Sequence, residues 1–441
     1  MLFRQFVDDD LGCASYLIGD EDSGVAVVVD PAYEIDQYLE QAAADGVRLV
    51  RVFETHTHAD HVSGHGRLAL DHGLPISIHP AAEPEYDFDA LEDGRELELG
   101  AVTVRALHTP GHRPEHCAFE VVDRERGDEP WLTLTGDSLF VGDAARPDLA
   151  SEAVEGARGL YQSLQRLMEL HDGVEIYPGH VSGSLCGTGM SSKASSTIGF
   201  ERRFNHALRA ADEEAFVAEA IRTGLRPPNM DRIVELNRGP LVGPPEPLEP
   251  VNEGAGAVLD VRDADDFAAG HAKGALSVPV DGGNFATKAA FVLPSDERVV
   301  IHAASAEQAQ RAGGGLRAVG IFDLAGYLVD PPSEERLPSV GIEELERLVG
   351  AGSVEVLDVR EPHERDEGYI PGSRNIPYRL VGEWVDDLQG GKPVVTICSS
   401  GPRAGVAASV LAAAGVDARP VLHAGVPDWQ GETVSFRRCG S

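Results

Sequence analysis

At 441 residues the chain is longer than one ordinary core organises, so two to four domains are expected. Its formal charge of −36 excludes nucleic acid and an anionic membrane surface as partners, because both would be repelled. No apolar run reaches the ~20 residues that a membrane-spanning helix needs. The opening residues MLFRQFVDDDLGCASYL are acidic where a signal peptide would be apolar, which predicts a cytoplasmic protein. Five scattered cysteines with no C-x-x-C pair give neither a disulfide framework nor a thiolate zinc site.

The first ~240 residues alternate between strands and helices. GVAVVVDPA (24–32) reads as a buried strand ending in a turn, and EIDQYLEQAAADG (34–46) as a helix with a glycine stop. VRLVRVFETH (47–56) is a strand that runs into a histidine-rich loop. AVTVRALHTPGH (101–112), PWLTLTGDSLF (130–140) and GVEIYPGH (173–180) repeat the plan, each ending a strand in His or Asp. Functional groups in α/β folds gather at such carboxyl ends. From about Asn237 the proline- and glycine-rich NRGPLVGPPEPLEPVNEG reads as a linker, and VDPPSEERLPS (329–339) as a second break.

THTHADH (55–61) places His56, His58, Asp60 and His61 on one short loop. Imidazole and carboxylate suit iron, zinc and manganese. Several histidines beside an aspartate would repel one another when protonated and contribute little as a core, so metal binding is the better reading. His112, Asp137 and His180 complete seven candidate ligands at strand ends. His65, His72, His79, His171 and His206 read as ordinary surface or hydrogen-bonded core residues. His108 and His116 read as structural neighbours of the HTPGH turn. Cys13 and Cys117 read as packed structural thiols, and Cys439 as incidental.

These residues resemble the H-x-H-x-D-H signature and remaining ligands of the metallo-β-lactamase superfamily, which implies an αββα sandwich over residues 1–240. Members similar to glyoxalase II hold two metals on all seven ligands and hydrolyse thioesters. Members similar to persulfide dioxygenase hold one iron, and their ligands match His56, His112 and Asp137. His58, Asp60, His61 and His180 then neighbour the iron or serve a second metal. HTPGHRPEHCAF (108–119) and GHVSGSLCGTGMSSKASSTIGFERRFN (179–205) resemble persulfide dioxygenases fused to sulfurtransferase modules. Cys186 in that second stretch is either a relay for sulfane sulfur or a packed cysteine. Arg146 and Asp148 match a substrate-side Arg-x-Asp, with Arg146 placed to pair with a carboxylate of a thiol substrate or with an ordinary surface acid.

The last two segments resemble each other. AVLDVRDADDFAAGHAKGALSVPV (257–280) matches EVLDVREPHERDEGYIPGSRNIPY (355–378) at a constant offset of 98, as at Asp260 and Asp358. A constant offset implies duplication. CSSGPRA (398–404) lies between an apolar strand and a helical run, so Cys398 sits at a helix N-terminus. Such a position favours an anionic sulfur, and Arg403 adds positive charge. This loop resembles the C-x-x-G-x-R loop of rhodanese sulfurtransferases, as do Asp358, Arg360 and Gly425. The first copy has VVIHAAS there, with His302 and Ala303 and no thiol. The expected organisation is a metallo-β-lactamase-like domain (1–240), a degenerate rhodanese-like α/β domain (241–332) and a rhodanese domain with Cys398 as nucleophile (338–441).

The resemblance implies oxidation of a low-molecular-weight thiol persulfide by O2 at one Fe(II) per chain, giving sulfite. Cys398 then transfers sulfur to sulfite, in the manner of sulfide detoxification. Zinc, one or two per chain, belongs to the alternative of a thioester hydrolase with an attached sulfurtransferase. A non-catalytic sulfide-responsive carrier is the third reading. A homo-oligomer is expected in each.

Overall fold

The computed structural model describes residues 1–147, 153–181, 191–221, 228–252, 255–293, 297–330 and 332–436. It divides into two compact units, Met1–Pro245 with Arg317–Gly320 and Glu246–Leu316 with Ile321–Ser441.

The first unit holds two six-stranded sheets. One runs in chain order through β1 (Leu2–Val7), β2 (Ala14–Asp20), β3 (Val25–Val29), β4 (Arg48–Phe53), β5 (Ile76–Ile78) and β6 (Asp89–Ala90). The other runs through β7 (Glu96–Leu99), β8 (Val102–His108), β9 (Cys117–Asp123), β10 (Leu132–Gly136), β11 (Glu175–Pro178) and β12 (Ser196–Thr197). Alternation along β3 shows how the layers stack, since successive side chains point to opposite faces. Val27 and Val29 enter a core shared with Phe119, Val121 and Leu134 of the other sheet. Ala26 and Val28 face the opposite way, against Ile35, Tyr38 and Leu68 of the helical layer. Leu160, Leu164 and Leu167 of the helix Ala153–Leu167 cover the far face of the second sheet at Ala118 and Ile176. The result is an αββα sandwich.

The second unit holds two four-stranded parallel sheets. The first contains β13 (Ala257–Asp260), β14 (Leu276–Ser277), β15 (Val299–Ala303) and β16 (Leu324–Val329) in the order β14-β13-β15-β16. The second contains β17 (Glu355–Asp358), β18 (Arg374–Asn375), β19 (Val394–Ile397) and β20 (Ala418–Pro420) in the equivalent order. Parallel strands need crossover helices, which bury both sheet faces. The repeats share one apolar cluster, in which Phe267 and Ala272 pack with Leu357, Cys398 and Leu411.

The GGG stretch of the first repeat lies within a continuous helix, Ala306–Ala318. Close packing is the reason for two of its glycines. A Cβ on Gly313 would come within 2.9 Å of Leu248, and one on Gly315 within 3.0 Å of Phe285. Asn237, read as the start of a linker, is instead buried in the helix Met230–Arg238. Among the described residues no helix is long and apolar enough to cross a membrane.

Candidate metal centre and thiol loop

All seven candidate ligands follow strands, and the fold brings them to one end of the sandwich. His56, His58, Asp60 and His61 follow β4, His112 lies between β8 and β9, Asp137 follows β10 and His180 follows β11. Six of the seven fall into three compact groups among the described residues. His56, His112 and Asp137 offer ligand atoms within 4.8 Å of one another, Asp60 and His61 do so with Cys13, and His58 does so with Asp30 and Glu54.

The first cluster has its lone pairs aimed and available. The Thr55 hydroxyl donates to Asp30 Oδ2 at 2.8 Å, so it accepts from His56 Nδ1 at 2.9 Å. That assigns the proton of His56 to Nδ1 and leaves the Nε2 lone pair bare. His112 Nδ1 lies 3.1 Å from the Arg146 carbonyl, an acceptor only, which gives His112 the same tautomer. Asp137 Oδ1 accepts from His180 Nδ1 at 2.9 Å, while Oδ2 stands 3.6 Å from His112 Nε2. His56 Nε2 and Asp137 Oδ2 are buried with no hydrogen-bond partner. Such atoms are costly to leave unpaired unless something binds them, so two imidazoles and one carboxylate here fit a metal ion. Burial first, and then the neighbouring His58, hold His56 well below the usual imidazole range, in its neutral ligating form.

His58 turns away from this cluster. Its Nε2 lies 3.2 Å from both Asp30 Oδ1 and Glu54 Oε2. Burial opposes its charge, but the two carboxylates outweigh that and raise it well above the usual imidazole range. Glu54 also meets His65 Nδ1 at 3.0 Å and the Ser63 hydroxyl. His180 is held at both nitrogens, by Asp137 and, through Nε2 at 2.8 Å, by Asp60 Oδ2. Cys13 donates to that same Asp60 oxygen at 3.0 Å. Its sulfur is also 3.5 Å from His61 Nδ1 and from His180 Nε2, so this thiol does more than pack.

The loop between β8 and β9 fastens the site. His116 Nε2 accepts the backbone N–H of Asp137 at 2.9 Å. Its Nδ1 therefore carries the proton and faces Thr109 at 2.9 Å and Ser138 at 3.1 Å. Burial, and then His112, push His116 down to about 3, so it stays neutral. Glu115 Oε1 accepts from the Thr57 backbone N–H at 3.1 Å and from Arg113 Nε at 2.6 Å, tying this loop to the THTHADH loop. Asn237 donates to the carbonyls of His58 and His61 at 3.0 and 2.9 Å. Asp30 and Glu54 escaped the sequence reading, which took Cys13 for a packed structural thiol and Asn237 for the start of a linker. Asp30 alone carried a signal, as an acid at the end of a buried strand. Arg146 contributes its carbonyl to His112; Asp148, Cys186 and Cys439 lie outside the described residues.

In the second unit Cys398 is buried between β19 and the helix Pro402–Ala413. Its sulfur accepts the Gly401 backbone N–H at 3.1 Å. Gly401 has φ +109°, and a Cβ there would overlap the Leu422 carbonyl at 1.6 Å, so only glycine closes this loop. Arg403 is clamped by Glu364 through Nη1–Oε2 at 2.6 Å and Nη2–Oε1 at 2.7 Å, and it reaches Ser399 Oγ at 3.1 Å. Its charge is thus already paired, and it braces the loop. Asp358 and Arg360 form a two-pronged pair, and Arg360 continues to the Gly368 carbonyl at 2.7 Å. Asp260, Arg262 and Gly270 repeat that staple in the first copy, which makes it structural. Asp260 pairs with His302 as Asp358 pairs with Ile397, so Ala303 stands at the position of Cys398.

Comparison with known proteins agrees with this fold. A profile of the metallo-beta-lactamase superfamily matches residues 8–180, and one of the rhodanese-like domain matches 244–329 and 341–432. The chain is 30% identical over 241 residues to the mitochondrial persulfide dioxygenase ETHE1 of Bos taurus, covering 54% of this chain and 87% of that one. It is 30% identical over 254 residues to a probable metallo-hydrolase of Burkholderia pseudomallei, covering 49% of this chain and 84% of that one. The crystal structure of a metallo-beta-lactamase from Staphylococcus aureus superposes with a TM-score of 0.69 at 28% identity, over 75% of this chain and 98% of that one.

Proposed function

Given that the chain belongs to the metallo-β-lactamase superfamily and carries two rhodanese-like domains, we propose that it is an iron-dependent persulfide dioxygenase coupled to a sulfurtransferase. A low-molecular-weight thiol persulfide, O2 and water give the free thiol and sulfite. A second persulfide then loads Cys398 with its outer sulfur, and the sulfite takes that sulfur as thiosulfate.

The observation that carries this reading is the contrast within the ligand set. His56 and Asp137 keep buried, unpartnered ligand atoms beside His112, whereas Asp60 and His180 are hydrogen-bonded to each other; His58 and His61 also keep buried ring nitrogens without a hydrogen bond, His58 standing between Asp30 and Glu54. That contrast supports one metal ion. Bound there, Fe(II) supplies open positions at which a persulfide sulfur and O2 meet. Thr55 and the Arg146 carbonyl fix the imidazole tautomers, and His116 fixes the carboxylate strand end. In the second unit the Gly401 N–H is aimed at the Cys398 sulfur and stabilises negative charge there. The similarity to the bovine persulfide dioxygenase supports the substrate class.

The test is oxygen uptake by the iron-loaded chain with glutathione persulfide or coenzyme A persulfide, with sulfite and thiosulfate quantified. Persulfide-dependent uptake supports the reading. Hydrolysis of a thioester without oxygen uptake would replace it with the dizinc thioester hydrolase; the similarity to a probable metallo-hydrolase supports only a hydrolase of some kind.

A further inference from the structure

We propose that Asn205 and Glu201 are positioning residues of the metal centre: they clamp the hairpin that joins Asp137 to Arg146 and so aim the ring of His112. The inference rests on the metal reading above and adds two residues remote from its ligands.

Both ends of this hairpin are at the centre. It leaves Asp137 and returns to Arg146, whose carbonyl accepts from His112 Nδ1 at 3.1 Å. Between them the chain turns back on itself. An isolated antiparallel bridge pairs Leu139 with Ala144, and the Phe140 N–H donates to the Asp143 carbonyl at 3.0 Å. Gly142 takes a φ of +85° at the tip, where the turn requires glycine's freedom. A pairing this short does not hold its own direction.

The helix Ile198–Phe204 holds it instead. Glu201, buried on that helix, accepts the Gly142 N–H through Oε2 at 2.8 Å. Asn205, also buried, caps the helix. Its Nδ2 donates to the Asp143 carbonyl at 2.9 Å, to the Phe140 carbonyl at 3.3 Å and to the same Glu201 oxygen at 2.9 Å. Its Oδ1 accepts the Ala207 N–H at 2.9 Å, which fixes the way the amide faces. The tip is thus gripped through backbone groups on both sides of the turn.

The other Glu201 oxygen, Oε1, is buried without a hydrogen-bond partner. A carboxyl with one idle buried oxygen contributes little net stability, because desolvation offsets the bonds it makes. What it supplies is position. If the hairpin shifts, the Arg146 carbonyl leaves His112 Nδ1. The ring then loses the bond that keeps its proton there, and Nε2 is no longer held bare beside Asp137 Oδ2.

The experiment measures zinc affinity of the metal-free full-length chain by competition with a chelator. Nitrogen NMR of the histidine-labelled chain reads the His112 tautomer, with His112→Ala to assign its signals. Asn205→Ala is expected to bind zinc about 10–100-fold more weakly, and its His112 should no longer be confined to the Nδ1–H form. Glu201→Ala should behave in the same way. Glu201→Gln keeps an acceptor oxygen for Gly142 and Asn205 and is expected to match the parent in both readouts. A fall in stability alone, with zinc affinity and tautomer unchanged in Asn205→Ala, overturns the proposal. Amide exchange of the parent covers the case in which the alanine variants do not fold. The Gly142 N–H should exchange slowly, as a buried bonded amide does, and fast exchange contradicts the clamp. A parent that binds no zinc overturns the metal centre itself, and the clamp with it.

Discussion

His180 Nδ1 stands 2.9 Å from Asp137 Oδ1, which leaves Oδ2 of the same carboxylate free to face His112. One carboxylate thus has a protein-facing oxygen and a metal-facing oxygen. Removing a metal-facing group should abolish binding, and removing a supporting group should weaken it. His56→Ala and Asp137→Ala are expected to purify without stoichiometric iron and to show no persulfide-dependent oxygen uptake. Metal analysis beside an oxygen electrode measures both.

His116 offers a graded version of that test. It touches Asp137 through the backbone N–H and has no place in the ligand cluster. Loss of such an outer partner typically costs about 10–100-fold in metal affinity. His116→Ala is expected to fall in that range by competition with a chelator. His116→Gln, whose amide oxygen can still accept the Asp137 N–H, should lose less.

His58 is expected to serve the fold and not the metal. It lies between two buried acids, and removing one partner from a buried charge cluster costs about 3–5 kcal/mol. His58→Ala should therefore lower the stability of the metal-free chain by about that amount in denaturant unfolding. Once folded and loaded, it should still bind one iron. Loss of iron with unchanged stability would place His58 among the ligands.

The sequence made the ligand types legible because THTHADH, HTPGH, TGDS and YPGH are compact motifs at strand ends. It did not show how the ligands divide into clusters, because the partners that divide them are remote in the chain. Cys13 meets Asp60 from 47 residues away, and Asn237 meets His58 from 179. The same holds for Glu364, which pairs with Arg403 across 39 residues and changes that arginine from a free charge into a brace. The alternation of strands and helices was readable from local patterns, such as the buried run of β3, whereas the sandwich was implied by the resemblance of the ligand motifs. The glycines of the helix Ala306–Ala318 answer to Leu248 and Phe285, which periodicity does not reveal.

Glu364 also gives a pH signature. Burial opposes its ionisation, but the hydrogen bonds from Arg403 outweigh that and lower it to about 2. The unfolded chain then binds more protons than the folded one, so stability rises with pH. This contribution is complete above the unfolded value near 4.5 and is lost as pH falls through about 2. Glu364→Gln should be less stable near neutrality and should flatten this acid-side slope. Thermal unfolding of both chains between those pH values measures it.

Cys398→Ser separates the two proposed activities. Oxygen uptake should persist, with sulfite accumulating in place of thiosulfate. Unchanged thiosulfate output would remove Cys398 as the sulfur carrier.

The central claim is a single iron at His56, His112 and Asp137. It is tested most directly by iron and zinc analysis of anaerobically purified chain, with oxygen uptake on glutathione persulfide measured on the same sample. One iron per chain with persulfide-dependent oxygen consumption is expected. Two zinc ions per chain, with thioester hydrolysis and no oxygen uptake, would contradict it.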